Sequence, residues 1–415
     1  MMRTFILFIT AVFLISPAGG CTHVAREDAS RISLPERNYP AGVIASSGGY
    51  RFRIPLESTH SRRSFAFTGY SQSQATAAVP EETSTVPDGT VLHVDTTWRG
   101  TVLVRGSVIV APQATLRIEP GTIVRFSSED AKNMPSRLVV QGRIQAVGTA
   151  DKRIMMTSER PDGWGGVLLH ATEKRNQLEQ CSIEHASVAV GMQYSVLALK
   201  NCSLTHARVG ILSRDSFVQL SGGSISGGGI GIELHDSELE ARDTAISSCR
   251  QGVVAFRSSV ALTSVRISGS EQFGFTADEC RIRLTSSELS SNGTGARIKG
   301  GSGQISMGSF VKNRVVALHL SGARLKINRC SFSETGGDAV RFEDGQALVW
   351  DSAFSANAGY NIYNAGSDDV HAIQNWWGSS DRSGIVGKIF DRARNTGSGV
   401  VHYSPWATAK PALAP

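Results

Sequence analysis

Residues 181–201, CSIEHASVAVGMQYSVLALKN, and residues 202–222, CSLTHARVGILSRDSFVQLSG, are two versions of one pattern, and the pattern continues. Aligned on its apolar third residue it gives Ile183, Leu204, Ile225, Ile246, Ile267, Leu289, Phe310, Phe332 and Phe354, at steps of 21 or 22 residues. A second ladder of small residues runs beside it: Ala189, Gly210, Gly231, Gly252, Gly274, Gly295, Ala317 and Ala339, closed by Asn361. A period this constant is the mark of a solenoid, in which each unit buries its apolar face only by stacking on its neighbours. Leucine-rich repeats share the period, but their LxxLxLxxN pattern and helical half are missing.

In most units the residues one and three places after the small one are apolar, as in Ile232 and Leu234 or Leu318 and Leu320, while the residue between is mixed or polar. Alternation of period two sends one set inward and the other outward along a strand. The chain is rich in Gly (43), poor in Pro (13) and only 19% charged, which suits short strands and turns better than long solvated helices. The expected fold is all-β, a single-stranded right-handed parallel β-helix of about 13 coils, spaced by about 4.8 Å into a rod of about 60 Å.

Further segments carry a resemblance. ATLRIEPGTIVRF (residues 114–126), RLVVQGRIQAVGTADKRIMMTS (137–158) and GWGGVLLH (163–170) look like opening coils, and NWWG (375–378) like a closing motif. Over residues 87–406 the chain resembles the right-handed parallel β-helix repeat family of the pectin-lyase-like superfamily, in its bacterial envelope lipoprotein type. The resemblance implies the fold and leaves the activity open, because that superfamily carries lyases, hydrolases, epimerases, adhesins and non-catalytic proteins.

The ends carry processing and capping signals. Arg3 followed by an apolar stretch over residues 5–15, too short to span a bilayer, reads as a signal peptide over residues 1–20. AGGC, residues 18–21, resembles a lipoprotein box with Cys21 as the lipidated residue. Thr22 is not the Asp of an inner-membrane retention signal, so the expected address is the cell envelope, as an outer-membrane lipoprotein. Residues 21–86 then form the anchor and a Ser/Thr/Pro-rich tether, in which the stretch from Tyr50 reads as one attached strand. N-terminal coils follow over 87–180, regular repeats over 181–375, and a cap and tail over 376–415 in which Trp376 and Trp377 close the last coil.

Four clusters are candidates for chemistry. The outward column Leu212, Glu233, Val254, Thr276, Arg297, His319, Arg341, Tyr363 places its last four members on successive coils, with Lys299 two residues beyond Arg297. Such a ledge suits an acidic polysaccharide, guanidinium forks taking carboxylates and Tyr363 stacking on a sugar. The competing reading is a solvated face neutralised by Glu334, Asp338 and Glu343. His185 and His206 stack on adjacent coils and are the minority metal reading, for copper, but the next positions are Gly227 and Ser248. Cys181 and Cys202 stack likewise and are expected as free thiols, with Cys249, Cys280 and Cys330 as small buried hydrophobes. No convergent set of carboxylates is evident; the one adjacent Asp pair, Asp368 and Asp369, lies just before the cap.

No catalytic residue and no cofactor is therefore assigned. The formal charge of +6 mildly favours anionic partners, and the absence of Lys/Arg runs with interleaved aromatics argues against nucleic acid. The expected protein is a monomeric, non-catalytic envelope rod that binds an acidic polysaccharide and meets the membrane through its lipid. Two alternatives stay open: a lyase, hydrolase or epimerase acting on a uronic-acid polymer, and a periplasmic copper-handling protein. Replacing Cys21 with Ser is expected to abolish incorporation of labelled palmitate and move the protein from the membrane fraction to the soluble one; unchanged membrane recovery would remove the lipid anchor.

Overall fold

The computed structural model describes residues 83–127, 135–158 and 163–412, together with the backbone of strands Val43–Ser46 and Gly49–Phe52. The expected signal peptide, Cys21 and most of the tether lie outside the described residues. Residues 1–76 and 77–415 are two separate units. In the first, Val43–Ser46 and Gly49–Phe52 pair antiparallel, Val43 opposite Phe52 and Ser46 opposite Gly49.

The second unit is a parallel β-solenoid whose coils each run through three faces. Thirteen strands, from Thr83–Val86 to Ala353–Ser355, make the first face. The second and third faces join into one sheet, because in two coils their strands fuse as Val316–Asn328 and Asp338–Trp350. Arg382–Gly387 is the one helix among the described residues. The apolar ladder from Ile183 to Phe354 is paired residue for residue on the first face. Its last members are buried rings, with Phe310 on Phe332 at 4.9 Å and Phe332 on Phe354 at 5.2 Å. Trp377 then stacks on Phe354 at 5.1 Å and is buried, so the indole continues the column and closes it. Each such ring contributes about 0.5–1.5 kcal/mol beyond its buried area.

The small-residue ladder has a steric cause. It opens the second face, where two consecutive residues point inward, Gly252 and Val253 for instance. A Cβ on Gly252 would lie 2.3 Å from the carbonyl oxygen of Gly274 and 2.7 Å from the Ile267 side chain. The drift from 21 to 22 residues has an equally local origin. Coils of 22 carry one extra residue in the turn from first to second face, as in 269–273, 312–316 and 334–338 against 248–251, and their strands keep their register.

Most corners are turned by a single residue of positive φ that is not glycine: His185, His206 and Ser248 at one corner, Tyr194, Asp215 and Asp236 at the next, Gln180, Asn201 and Asp243 at the third, whereas Gly222 and Gly223, and Gly300 and Gly301, turn as pairs. The left-handed region disfavours ordinary residues, yet each corner N–H is held by the next coil, His206 N–H by Ser226 O and Asp236 N–H by Phe256 O. The residue after the corner supplies a side-chain ladder. Ser195, Ser216 and Ser237 each donate a backbone N–H to the hydroxyl of the equivalent serine one coil on, at 3.0, 3.3 and 3.1 Å. At another corner the amide oxygens of Asn292 and Asn313 accept the backbone N–H of Ser270 and of Asn292, at 2.8 and 3.1 Å.

All five described cysteines occupy these post-corner places. Cys280 continues the serine ladder, its sulfur accepting from Ser258 N–H at 3.4 Å and donating to Asp278 O. They are free and buried, as expected for Cys181 and Cys202, but they act as ladder members as well as small hydrophobes. Burial pushes the Cys330 thiol up to about 12. Replacing Ser237 with Ala strands the Ser216 N–H and is expected to cost about 1–3 kcal/mol, lowering the thermal midpoint. Ser237→Cys is expected to keep most of that stability, since sulfur already serves at position 280. Equal loss in the two variants would refute the ladder role.

Candidate ligand-binding face

Second-face strands are held in register, so any outward column is fixed once one member is placed. The pairing runs Thr276 to Arg297, Arg297 to His319, His319 to Arg341 and Arg341 to Tyr363, as the periodicity implies. It then continues to Phe390 in the partial coil after the helix. Arg297, His319, Arg341 and Tyr363 therefore share one ledge, and Lys299 stands one column over on the strand Thr294–Lys299.

Carboxylates are interleaved with these cations. Glu343 Oε1 lies 3.1 Å from His319 Nε2 and 3.4 Å from Arg341 Nε, and Asp338 is 4.0 Å from Arg341. Lys299 pairs with Asp278 of the preceding coil at 3.6 Å. Glu334, expected to help neutralise the ledge, instead sits at a corner and pairs with Lys312 at 3.7 Å. It lies in the turn between the strands Ser331–Ser333 and Asp338–Trp350, ahead of the strand that carries Arg341. Arg297 has no carboxylate partner among the described residues and lies over the Phe273 ring at 5.9 Å.

The sharing of Glu343 is geometrically imperfect. His319 Nε2 and Arg341 Nε are both buried, and although each is within ion-pair reach of the carboxylate, neither has an acceptor in hydrogen-bond alignment. Burial holds the His319 imidazole below its usual value; Glu343 opposes that shift, while Arg297 and Arg341 add to it.

Aromatic rings complete the ledge. Arg341 lies 4.6 Å over Tyr363, which stacks on Phe390 at 4.3 Å, and Tyr360 packs edge-on against Phe390 with Arg394 above it at 5.5 Å. Tyr360, Phe390 and Arg394 escape a periodicity argument because the last two follow the final full repeat. The only signal for Tyr360 is its place three residues before Tyr363.

The other candidates separate. His185 and His206 are corner residues whose rings stack at 5.3 Å, 15° from parallel. This pair would supply only two of the three or four protein ligands that a metal site takes. Among the described residues no group of three or more His, Cys, Asp and Glu converges on a metal-sized site. Asp368 accepts from Gly345 N–H and Asp369 from Val400 N–H, so this pair organises the loop before the cap. The Val400 bond and the His402 contact hold the Asp369 carboxyl below the usual range.

Comparison with known proteins follows the geometry. A family model described as a pectate-lyase like beta helix domain matches residues 89–195, and one described as a right handed beta helix region matches residues 228–377. The two models together cover most of the solenoid, and the second describes its repeats as right-handed β-helix. No curated protein matches it. Among solved structures, similarity extends to the periplasmic alginate epimerase AlgG, at 9% identity over 77% of this chain and 76% of that one, with a TM-score of 0.30. It extends also to the A-module of the Azotobacter vinelandii mannuronan C-5 epimerase AlgE4 (13%, 80% and 91%, 0.31). A third is the bacteriophage CBA120 tailspike protein 3 (12%, 74% and 57%, 0.34). At such identities these likenesses concern the fold alone.

The shared carboxylate gives a signed prediction. Glu343 raises the His319 pKa against the stronger effect of burial. Glu343→Gln is therefore expected to move the His319 titration, followed by NMR of its imidazole, further below its wild-type position. A rise would show that the ion pair is not formed.

Proposed function

We propose that the protein is a non-catalytic binder of an acidic polysaccharide, tethered through Cys21 at the bacterial outer membrane. The observation that carries this reading is the column Arg297, His319, Arg341, Tyr363 and Phe390, in register on consecutive coils. Its spacing of about 4.8 Å is close to one sugar of an extended chain. Arg297 is free to take a carboxylate as a bidentate partner, the Tyr363 and Phe390 rings offer a stacking surface, and the buried His319 and Arg341 nitrogens lack aligned acceptors that sugar oxygens would supply. Weak contacts repeated along a polymer reinforce one another.

Binding without turnover is favoured by the same pairings. Arg341 and Lys299 are engaged by Glu343 and Asp278, which leaves Arg297 alone to neutralise a substrate carboxylate. One observation favours the second reading, a uronate lyase or epimerase at this ledge. His319 is held below its ordinary pKa and so stays unprotonated as a general base must.

The experiment is retention of the full chain on a polygalacturonate column, with the polymer sized before and after incubation. Arg297→Ala with Arg341→Ala is expected to weaken binding by about tenfold or more, since a hydrogen bond to a charged group is worth about 1.5–3 kcal/mol, with an unchanged thermal midpoint. Unchanged retention would refute the ledge, and shortened chains would establish the enzymatic reading.

A further inference from the structure

The third face carries a different charge pattern. Two of its three outward columns hold Glu238 and Glu240 on one coil, Ser259 and Ala261 on the next, then Arg281 and Arg283, Ser302 and Gln304, Arg324 and Lys326, and Gln346 and Leu348. Charge thus appears on every second coil. Arg281, Arg283, Arg324 and Lys326 are all exposed, and none has a carboxylate partner or hydrogen bond among the described residues. The second-face cations, by contrast, stand on consecutive coils, and Lys299, His319 and Arg341 among them lie beside carboxylates.

A cavity of about 610 Å³ opens on this face around Ser302, Arg324, Lys326, Gln346 and His371, with Gly303 and Ala347 in its floor. The loop of Asp368 and Asp369 walls one end, but each carboxylate accepts a backbone N–H elsewhere and neither pairs with Arg324 or Lys326. His371 stacks on His402 at 4.9 Å beyond that wall. Towards the other end, Glu240 would repel an acidic chain, so the cationic footprint is bounded on both sides.

Alternation keeps the two cationic pairs about 9.6 Å apart, twice the coil spacing. It avoids like charges directly opposite one another. At that distance, about one Debye length in dilute salt, their fields still overlap along the face. A ligand in register must present negative charge at the same interval, with hydroxyl or amide groups between to meet Ser302 and Gln304.

We propose that the third face, from Arg281 to Leu348, binds an acidic polysaccharide bearing one negative charge on every second sugar. This rests on the reading of the protein as an acidic-polysaccharide binder and assigns it a second face with its own preference. The chain lies along the rod, its acidic sugars over the Arg281/Arg283 and Arg324/Lys326 coils and its neutral sugars over the Ser302/Gln304 and Gln346/Leu348 coils.

The test is equilibrium binding of the full chain to fluorescent hyaluronan, which carries a carboxylate on alternate sugars, to polygalacturonate, which carries one on every sugar, and to neutral dextran. Hyaluronan is expected to bind in preference to dextran and to weaken as salt rises. The quadruple variant Arg281→Gln, Arg283→Gln, Arg324→Gln, Lys326→Gln is expected to lose at least about tenfold in hyaluronan affinity. Ser302→Arg, placing charge on the intervening coil, is expected to shift preference towards polygalacturonate. Hyaluronan binding no better than dextran, or undiminished in the quadruple variant, would overturn the proposal. So would tighter binding of a single-stranded oligothymidylate, which would assign the face to nucleic acid. Loss of hyaluronan in the quadruple variant stands whether or not the ledge variant loses polygalacturonate, so the two readings fail separately.

Discussion

Continuity of the backbone hydrogen-bond ladder through the corners is the constraint on which the rest of this solenoid depends. Strands in parallel register are ordinary, but three sharp turns per coil would interrupt the ladder unless each corner N–H also found the coil beyond. A left-handed residue at the corner achieves this, as at His206 and Asp236. The residue after it then faces inward with a short polar or sulfur side chain that spans to the next coil. Register is conserved through the regular repeats as a consequence. The extra residue of a 22-residue coil enters only the turn from first to second face, and the Phe310, Phe332, Phe354 and Trp377 stack survives it.

That constraint explains which features were legible in the sequence. The apolar and small ladders stand out because strand alternation and a fixed period compel chemically similar residues to recur, down to a glycine where a Cβ would strike the neighbouring carbonyl. The corners do not stand out. Hydrogen bonds from the next coil, and not glycine, hold them in the left-handed region, so His, Tyr, Asp, Gln and Ser all serve. The cysteines are misleading for the same reason. Their identity suggests thiol chemistry or simple burial, whereas their position, one residue past a corner, makes them substitutes for serine. Phe390 was out of reach because it rejoins the second face after a helix that breaks the period.

Charge is legible by position but not by compensation. The periodicity places Arg297, His319 and Arg341 in one column, yet only the side-chain geometry shows that Glu343 is shared between two of them while Glu334 serves Lys312. A stack of like charges about 4.8 Å apart would be unfavourable without such carboxylates, so the ledge carries its own counter-charge. An acidic ligand there competes with Glu343, and its net gain comes from Arg297, the aromatic surface and the unaligned nitrogens of His319 and Arg341.

The third face solves the same electrostatic problem by another route. Repulsion is limited by skipping a coil, so no internal carboxylate is needed and the cations stay open to solvent. A rod built from identical spacings can present charge only at whole multiples of one coil. Two faces with one-coil and two-coil charge periods are therefore matched to polymers that differ in charge per sugar, even though the polymers share the same carboxylate chemistry. On this reading selectivity resides in the interval between cations rather than in any single residue. It follows that an insertion within a strand, which breaks that interval, would damage recognition more than the replacement of one arginine by lysine at an unstacked position.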